Sequence, residues 1–249
     1  MNRPRRPEYR IAGRMSNQDL TVVGAQSQFA RSIRRVFEHI RPKRIIETGT
    51  YRGQGTTTAI ATALRELELS DAIFHTIEVN PRHYQRAAEN LARAGFTNVR
   101  QHNGLSVPRA LLPSIEQIDE SLVKRVEADQ LVVDHEEADR AKLYYGETDF
   151  PNLPDDLLGT LLRQFEYRPD FVLLDSGGHM GFVEFSYLIE QLRGPCVIAL
   201  DDVQHVKHYH SYERIHEDPR FQIVAAGEEK FGFCIARFVP NPIAHRNVA

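Results

Sequence analysis

Apolar positions along the chain follow two rhythms. In "QSQFARSIRRVFEHIRP" the residues Phe29, Ile33, Val36, Phe37 and Ile40 recur at helical spacing, and Pro42 marks the stop. Five short runs read instead as strands: "KRIIET" (43–48), "AIFHTIEV" (72–79), the weaker "NVRQHNG" (98–104), "DFVLLD" (170–175) and "PCVIALDD" (195–202). Helical patterns follow three of them: from a glycine-rich turn to about Leu67, over "PRHYQRAAENLARAGF" with Gly95 closing it, and over "GFVEFSYLIEQLR". Strands alternating with helices predict a doubly wound, mostly parallel sheet of the α/β class. Two last β runs, "FQIVAAG" and "KFGFCIARF", lie only a few polar residues apart and predict a terminal antiparallel hairpin.

One segment breaks the alternation. Residues 105–169 separate two strands by far more chain than a crossover helix requires. Within it, 115–140 carries nine acids against three bases, with Ile115, Ile118, Leu122 and Val126 on one helical face. "PDDLLGTLLRQFE" (154–166) reads as the ordinary crossover helix, with Pro154 and two aspartates in its first turn. The domain plan is a basic N-terminal arm over 1–20, a domain over 21–240 with a helical insertion at about 105–153, and a tail over 241–249. Three readings compete for the insertion: a lid over a site, a homo-oligomer contact, and a solvated surface helix.

Composition narrows the classes. The 249 residues, 41% hydrophobic with a mean hydropathy of −0.43, suit one large soluble domain. A net charge of −3 and a pI near 6.4 give no reason to expect a nucleic-acid partner. No apolar run approaches the ~18 residues of a membrane span, so no membrane partner is expected. The basic start "MNRPRRPEYR" lacks the apolar stretch of a secretory signal. Cys196 and Cys234 sit in apolar runs and read as buried free thiols, in keeping with a cytoplasmic location.

The chemistry starts at "IIETGTYRGQGTTTA" (45–59). Gly49, Gly53 and Gly55 let the backbone turn sharply and let a ligand approach it closely. A dinucleotide fingerprint would read G-x-G-x-x-G and set pyrophosphate on a helix N-terminus. Here the spacing is G-x-x-x-G-x-G, and Glu47 stands two residues before it. A carboxylate repels pyrophosphate and suits an ammonium group or hydroxyls. Glu78 ends the next strand, where its two oxygens can accept from a ribose diol.

"E-T-G-T-Y-R-G" resembles motif I, E/D-x-G-x-x-x-G, of the class I S-adenosylmethionine-dependent methyltransferases. It is most similar to the catechol and caffeoyl-CoA O-methyltransferase type, over about residues 25–104 and 170–238. The resemblance implies a Rossmann-like seven-stranded sheet of order 3-2-1-4-5-7-6, S-adenosylmethionine (SAM) as cofactor, and a small-molecule hydroxyl as methyl acceptor. It places Glu47, Gly49, Thr50 and Gly53 around the methionine end of the cofactor and Glu78 on its ribose. "N-G-L-S" is similar to the G-x-S that borders the adenine, which points to Ser106; Leu105 stands where a "G-D-A" version has its acid.

Ligands of an open parallel sheet sit beyond the carboxyl ends of its strands. Asp175 ends one such strand, and Asp201 and Asp202 end the next. Converging carboxylates raise one another's pKa unless a cation is shared, and hard oxygen ligands suit Mg²⁺, Ca²⁺ or Mn²⁺. The catechol-type and macrolide sugar O-methyltransferases place acids similarly, around a divalent ion that orients the acceptor hydroxyl. Asp175, Asp201 and Asp202 are therefore the expected metal ligands, with Asp175 also catalytic; acids that merely cap loops are the plainer reading. The lysine that the catechol type carries three residues after its first aspartate is missing, since Gly178 stands there. His179, one position on, is the expected base. "DDVQHVKHYH" adds His205, Lys207, His208 and His210 as candidate lining of the acceptor pocket. A zinc site from Asp201, His205 and His208 lacks a matching spacing, and a solvated helix start is the plainer account. Two rival functions stay open: a non-catalytic SAM-binding module, and another enzyme class, oxygenase-like or dehydrogenase, on the same fold.

Overall fold

The computed structural model describes residue 24 and residues 27–126, 140–148 and 150–240. Expectations for the basic arm, the C-terminal tail, residues 127–139 and the side chains of Leu122 and Val126 lie outside the described residues.

The chain runs α1 (Gln28–Ile40), β1 (Arg44–Thr48), α2 (Thr56–Glu66), β2 (Ile73–Glu78), α3 (Pro81–Arg93) and β3 (Val99–Asn103). A single 3₁₀ turn, Arg109–Leu111, leads to α4 (Ile115–Val126) and α5 (Arg140–Gly146). Then follow α6 (Leu157–Gln164), β4 (Phe171–Leu174), α7 (Met180–Gln191), β5 (Cys196–Asp201), α8 (Tyr209–Glu217), β6 (Phe221–Gly227) and β7 (Phe233–Phe238). The strands form one sheet of order β3-β2-β1-β4-β5-β7-β6, parallel from β3 to β5 and antiparallel through β7 and β6. That is the order and the hairpin expected from the sequence.

The unbroken apolar runs have a simple cause: both faces of the central strands are covered. Ile45 and Phe171 point into a layer with Phe29, Ile33, Phe37 and Ile60 of α1 and α2. Their neighbours Ile46 and Val172 point into the opposite layer, with Leu158 and Leu162 of α6 and Phe185 and Leu188 of α7. α1 stops at Arg41, which takes the left-handed conformation (φ 46°) just before Pro42. Cys196 and Cys234 are buried free thiols, as expected. Among the described residues no helix is long and apolar enough to cross a membrane.

The insertion leaves and re-enters the domain at one place. Leu105 N–H donates to Pro154 O (2.9 Å), Leu157 N–H to Leu105 O (3.1 Å) and Leu158 N–H to Ser106 O (2.8 Å). The crossover helix starts later than the sequence pattern predicts. α6 begins at Leu157, so Pro154 and the two aspartates precede it. Their carboxylates are used otherwise: Asp155 accepts from Arg109 N–H (2.7 Å) and Asp156 from Tyr187 O–H (2.6 Å). In the excursion itself, Ile118, Ala141 and Tyr144 form a small core with Val206 packed against it. Tyr144 is fully buried and lies against Gly178, where a Cβ would come within 2.7 Å of its ring. α4 and α5 thus sit on the loops that follow β4 and β5.

Candidate functional site at the carboxyl edge of the sheet

The tips of β1, β2, β4 and β5 bring together most of the residues singled out in the sequence. Gly49 is the pivot. At φ +83° it adopts a conformation that L side chains rarely take, and a Cβ there would stand 2.2 Å from the carbonyl oxygen of Asp175. The turn after β1 is therefore pressed onto the backbone that ends β4. Gly49 N–H (2.9 Å) and Thr50 N–H (3.2 Å) both donate to Ile77 O and tie the same turn to β2. Gly53, by contrast, faces α3 through Ala87 and Leu91.

Neutral donors hold the acids of β1 and β2. Glu47 is fully buried, and its Oε2 accepts from Thr57 Oγ1 (2.6 Å) and Thr76 Oγ1 (2.7 Å). Because Thr76 spends its proton on Glu47, Thr50 is the donor in the 2.5 Å contact between the two threonine hydroxyls. Glu47 Oε1 is buried and has no hydrogen-bond partner. Burial raises the Glu47 carboxyl to about 7 against the hydroxyls of Thr57, Thr76 and nearby Thr56, which favour its ionised form. Glu78 is buried too, and burial likewise lifts it to about 7. Its Oε2 accepts from Tyr51 N–H (2.6 Å) and its Oε1 from Asn80 N–H (2.8 Å). Each oxygen keeps a further lone pair.

A third buried acid escaped the sequence reading. Glu184 of α7 accepts from Thr48 Oγ1 (2.7 Å), from Ser176 Oγ (2.7 Å) and from Ser106 Oγ. Ser106, the expected neighbour of the adenine, thus directs its hydroxyl proton to Glu184.

The triad expected after β4 and β5 does converge: Asp175, Asp201 and Asp202 offer oxygens that all lie within 4.8 Å of one another. Asp202 holds a left-handed backbone (φ 56°), uncommon for a non-glycine residue and frequent at functional sites. The counter-charge, however, comes from the protein, where the sequence pointed to a divalent ion. Lys207 Nζ lies 2.6 Å from Asp175 Oδ1 and 2.8 Å from Asp202 Oδ2. Its side chain is only 7% exposed. Thr56 Oγ1 donates to the other oxygen of Asp175 (3.1 Å). Burial pushes the Asp175 and Asp201 carboxyls up, and the three aspartates hold Lys207 firmly protonated.

An ion such as Mg²⁺ sits about 2.0–2.1 Å from its oxygens. On the Asp175 and Asp202 oxygens that Lys207 holds, it would stand within contact of the ammonium. The acids as arranged do not accommodate both cations there.

Lys207 is placed by its surroundings. A Cβ at Gly181 would lie 2.2 Å from Lys207 O, so only a glycine at the start of α7 lets this loop approach so closely. Next to it, His208 is fully buried; its Nε2 donates to Leu174 O (3.0 Å) and its Nδ1 lies 3.2 Å from Ser211 Oγ. Those bonds make His208 a brace between α8 and β4, while His210 lies at the surface beside Glu213 (3.2 Å). His179 caps the start of α7, is 8% exposed, and has hydrogen-bond partners on neither ring nitrogen. Burial lowers it to about 4, so the imidazole is neutral at neutral pH.

No protein-family model and no curated protein matches the sequence. Solved structures do resemble the fold. One is described as a caffeoyl-CoA O-methyltransferase from Staphylococcus aureus (16% identity, 89% of this chain and 87% of that one, TM-score 0.53). Another is an O-methyltransferase from Bacillus cereus in complex with SAH (18%, 89% and 85%, TM-score 0.53). A third is TomG from Streptomyces achromogenes, an O-methyltransferase of tomaymycin synthesis in complex with SAM (19%, 90% and 83%, TM-score 0.52). At these identities the likeness is one of fold, and this chain has the seven-stranded, hairpin-ended fold of those O-methyltransferases.

Proposed function

We propose that the protein is a SAM-dependent methyltransferase that acts on a hydroxyl group of a small molecule. The observation that carries this reading is the bare, buried Oε1 of Glu47 beside the Gly49 turn. Hydroxyls alone leave this carboxylate without an opposite charge. The α-ammonium group of SAM supplies one, whereas the pyrophosphate of a dinucleotide would be repelled. Glu78 keeps a free lone pair on each oxygen for a ribose diol, and its two backbone donors fix its orientation. Gly49 and Thr50 shape the turn around the methionine end, with Gly53 seating the turn on α3. Ser106 stays near the adenine in this reading, through its backbone and the Oγ lone pairs that Glu184 leaves open.

In the reaction, the acceptor oxygen bonds to the methyl carbon as the carbon–sulfur bond breaks. The sulfonium becomes a thioether, SAH leaves, and the acceptor proton passes to a base. Holding the two reactants in line supplies much of the rate. His179 is the proposed base, neutral and with its ring nitrogens unengaged. Asp175, fixed by Lys207 and Thr56 next to the cofactor turn, orients the acceptor side. The insertion, packed through Tyr144 and Val206 on the same loops, acts as a roof over the acceptor.

Titration calorimetry of the full chain with SAH and with NAD tests the cofactor. Saturable heat with SAH and none with NAD is expected. Binding of NAD, or no heat with SAH, would overturn the reading.

A further inference from the structure

Resting on the methyltransferase reading, we propose that Lys207 takes the place of the divalent cation, so that the acceptor site works with a cation built into the chain.

Three observations carry this. The ammonium lies on oxygens of two of the three carboxylates that would ligate a metal, at 2.6 and 2.8 Å, with its side chain almost fully buried. Those are ordinary distances for charge-assisted hydrogen bonds, so the pair is complete without an ion. The ammonium is also held from behind. Its backbone is seated on Gly181, its neighbour His208 is bonded to Leu174 O, and Val206 is packed under the insertion. A metal that took these oxygens would strand the buried ammonium without its carboxylate partners, at a cost that grows with burial. Finally, the acids touch the cofactor side directly, through the Asp175 carbonyl against Gly49 and through Thr56 Oγ1 on the Asp175 carboxylate. A positive charge at Lys207 therefore stands where an acceptor oxygen loses its proton. It stabilises that oxygen electrostatically, as a metal would, without offering coordination.

After β4, where a catechol-type enzyme carries its lysine, Gly178 is occupied by the ring of Tyr144. The ammonium arrives instead from the loop after β5.

The test uses Mn²⁺ alone as the probe, followed by the loss of its free-ion paramagnetic resonance signal on the full chain. Wild type should show no saturable site tighter than on the order of millimolar. Lys207→Met, which removes the charge and keeps the length, should gain one site at least about tenfold tighter than wild type, and Asp201→Asn added to it should weaken that site. A single tight Mn²⁺ site in wild type that Asp201→Asn abolishes would overturn the proposal. So would a folded Lys207→Met variant with no gain in Mn²⁺ affinity, since the acids would then not be metal-competent at all. Should that variant fail to fold, the wild-type and Asp201→Asn titrations decide alone: absence of a site supports the built-in cation, and a shared tight site refutes it. SAH binding is measured without metal, so failure of the methyltransferase reading shows separately.

Discussion

The two halves of the sheet edge solve one problem in opposite ways. Both gather buried or half-buried carboxylates at strand tips. At β1 and β2, the hydrogen bonds to Glu47 and Glu78 come from hydroxyls and backbone N–H groups, His83 Nδ1 stands 3.9 Å from Glu78 Oε1, and one Glu47 oxygen is left bare. At β4 and β5, Asp175 and Asp202 are met by an ammonium from the chain itself. In the proposed reading the first half is an incomplete charge pair that the ammonium of SAM completes, while the second carries its own cation. The acids of the second half were visible in the sequence, and the lysine's pairing with them was not.

The largest effect should separate the halves at once. Lys207→Met leaves the half-buried Asp175 and Asp202 without their counter-charge and should cost about 2–3 kcal/mol in chemical denaturation, with Asp175→Asn in the same chain recovering part of it. A loss below about 1 kcal/mol would mean that the second half is not held by this ion pair. Gly49→Ala attacks the seam between the halves. Its Cβ meets the Asp175 carbonyl and its φ is unfavourable, so we expect roughly 3 kcal/mol of destabilisation and no SAH binding.

Glu78→Ala should weaken SAH about ten- to a hundredfold in calorimetry, from the loss of hydrogen bonds to a charged group worth roughly 1.5–3 kcal/mol. Asp201→Asn should leave the same affinity almost unchanged. Equal losses in the two variants would erase the division of labour.

The smallest effect is a pH dependence. Glu47 and Glu78 titrate near 7 when folded, against an ordinary 4.5, so the folded protein holds more protons in between. Their contribution to stability is greatest below about 4.5 and falls as pH rises through about 7. His75 and His179, lowered to about 4 by burial, act in the other direction between about 4 and 6.5. The thermal shift produced by SAH isolates the acids, because only the ionised Glu47 gains from an ammonium. That shift should be larger at pH 8 than at pH 5, and a reversed trend would detach Glu47 from the cofactor.

How much of this was legible beforehand follows from range. Each strand-ending acid closes an apolar run, so Glu47, Glu78, Asp175, Asp201 and Asp202 could be placed at one edge from local pattern alone. Lys207 could not be assigned its role. "DDVQHVKHYH" reads as a polar helix start, and its burial depends on Gly181 and on Tyr144 of the insertion, both remote in sequence. Glu184 did leave a trace, as an acid set between Val183 and Phe185 in the apolar stretch "GFVEFSYLIEQLR". Its three hydroxyl partners come from Thr48, Ser106 and Ser176, in separate segments that only the fold unites.

The hydrogen bonds that join residues 105–106 to 154–158 have a consequence for chain length. They close the excursion between them into a loop whose two ends meet at one place, while Tyr144 packs it on the loops after β4 and β5. Doubling the length of such a closed loop costs only about 0.6 kcal/mol in chain entropy. Under the proposed function, changes in the length of this excursion should therefore alter the acceptor side at little entropic cost, while the sheet and the glycine turn keep their geometry.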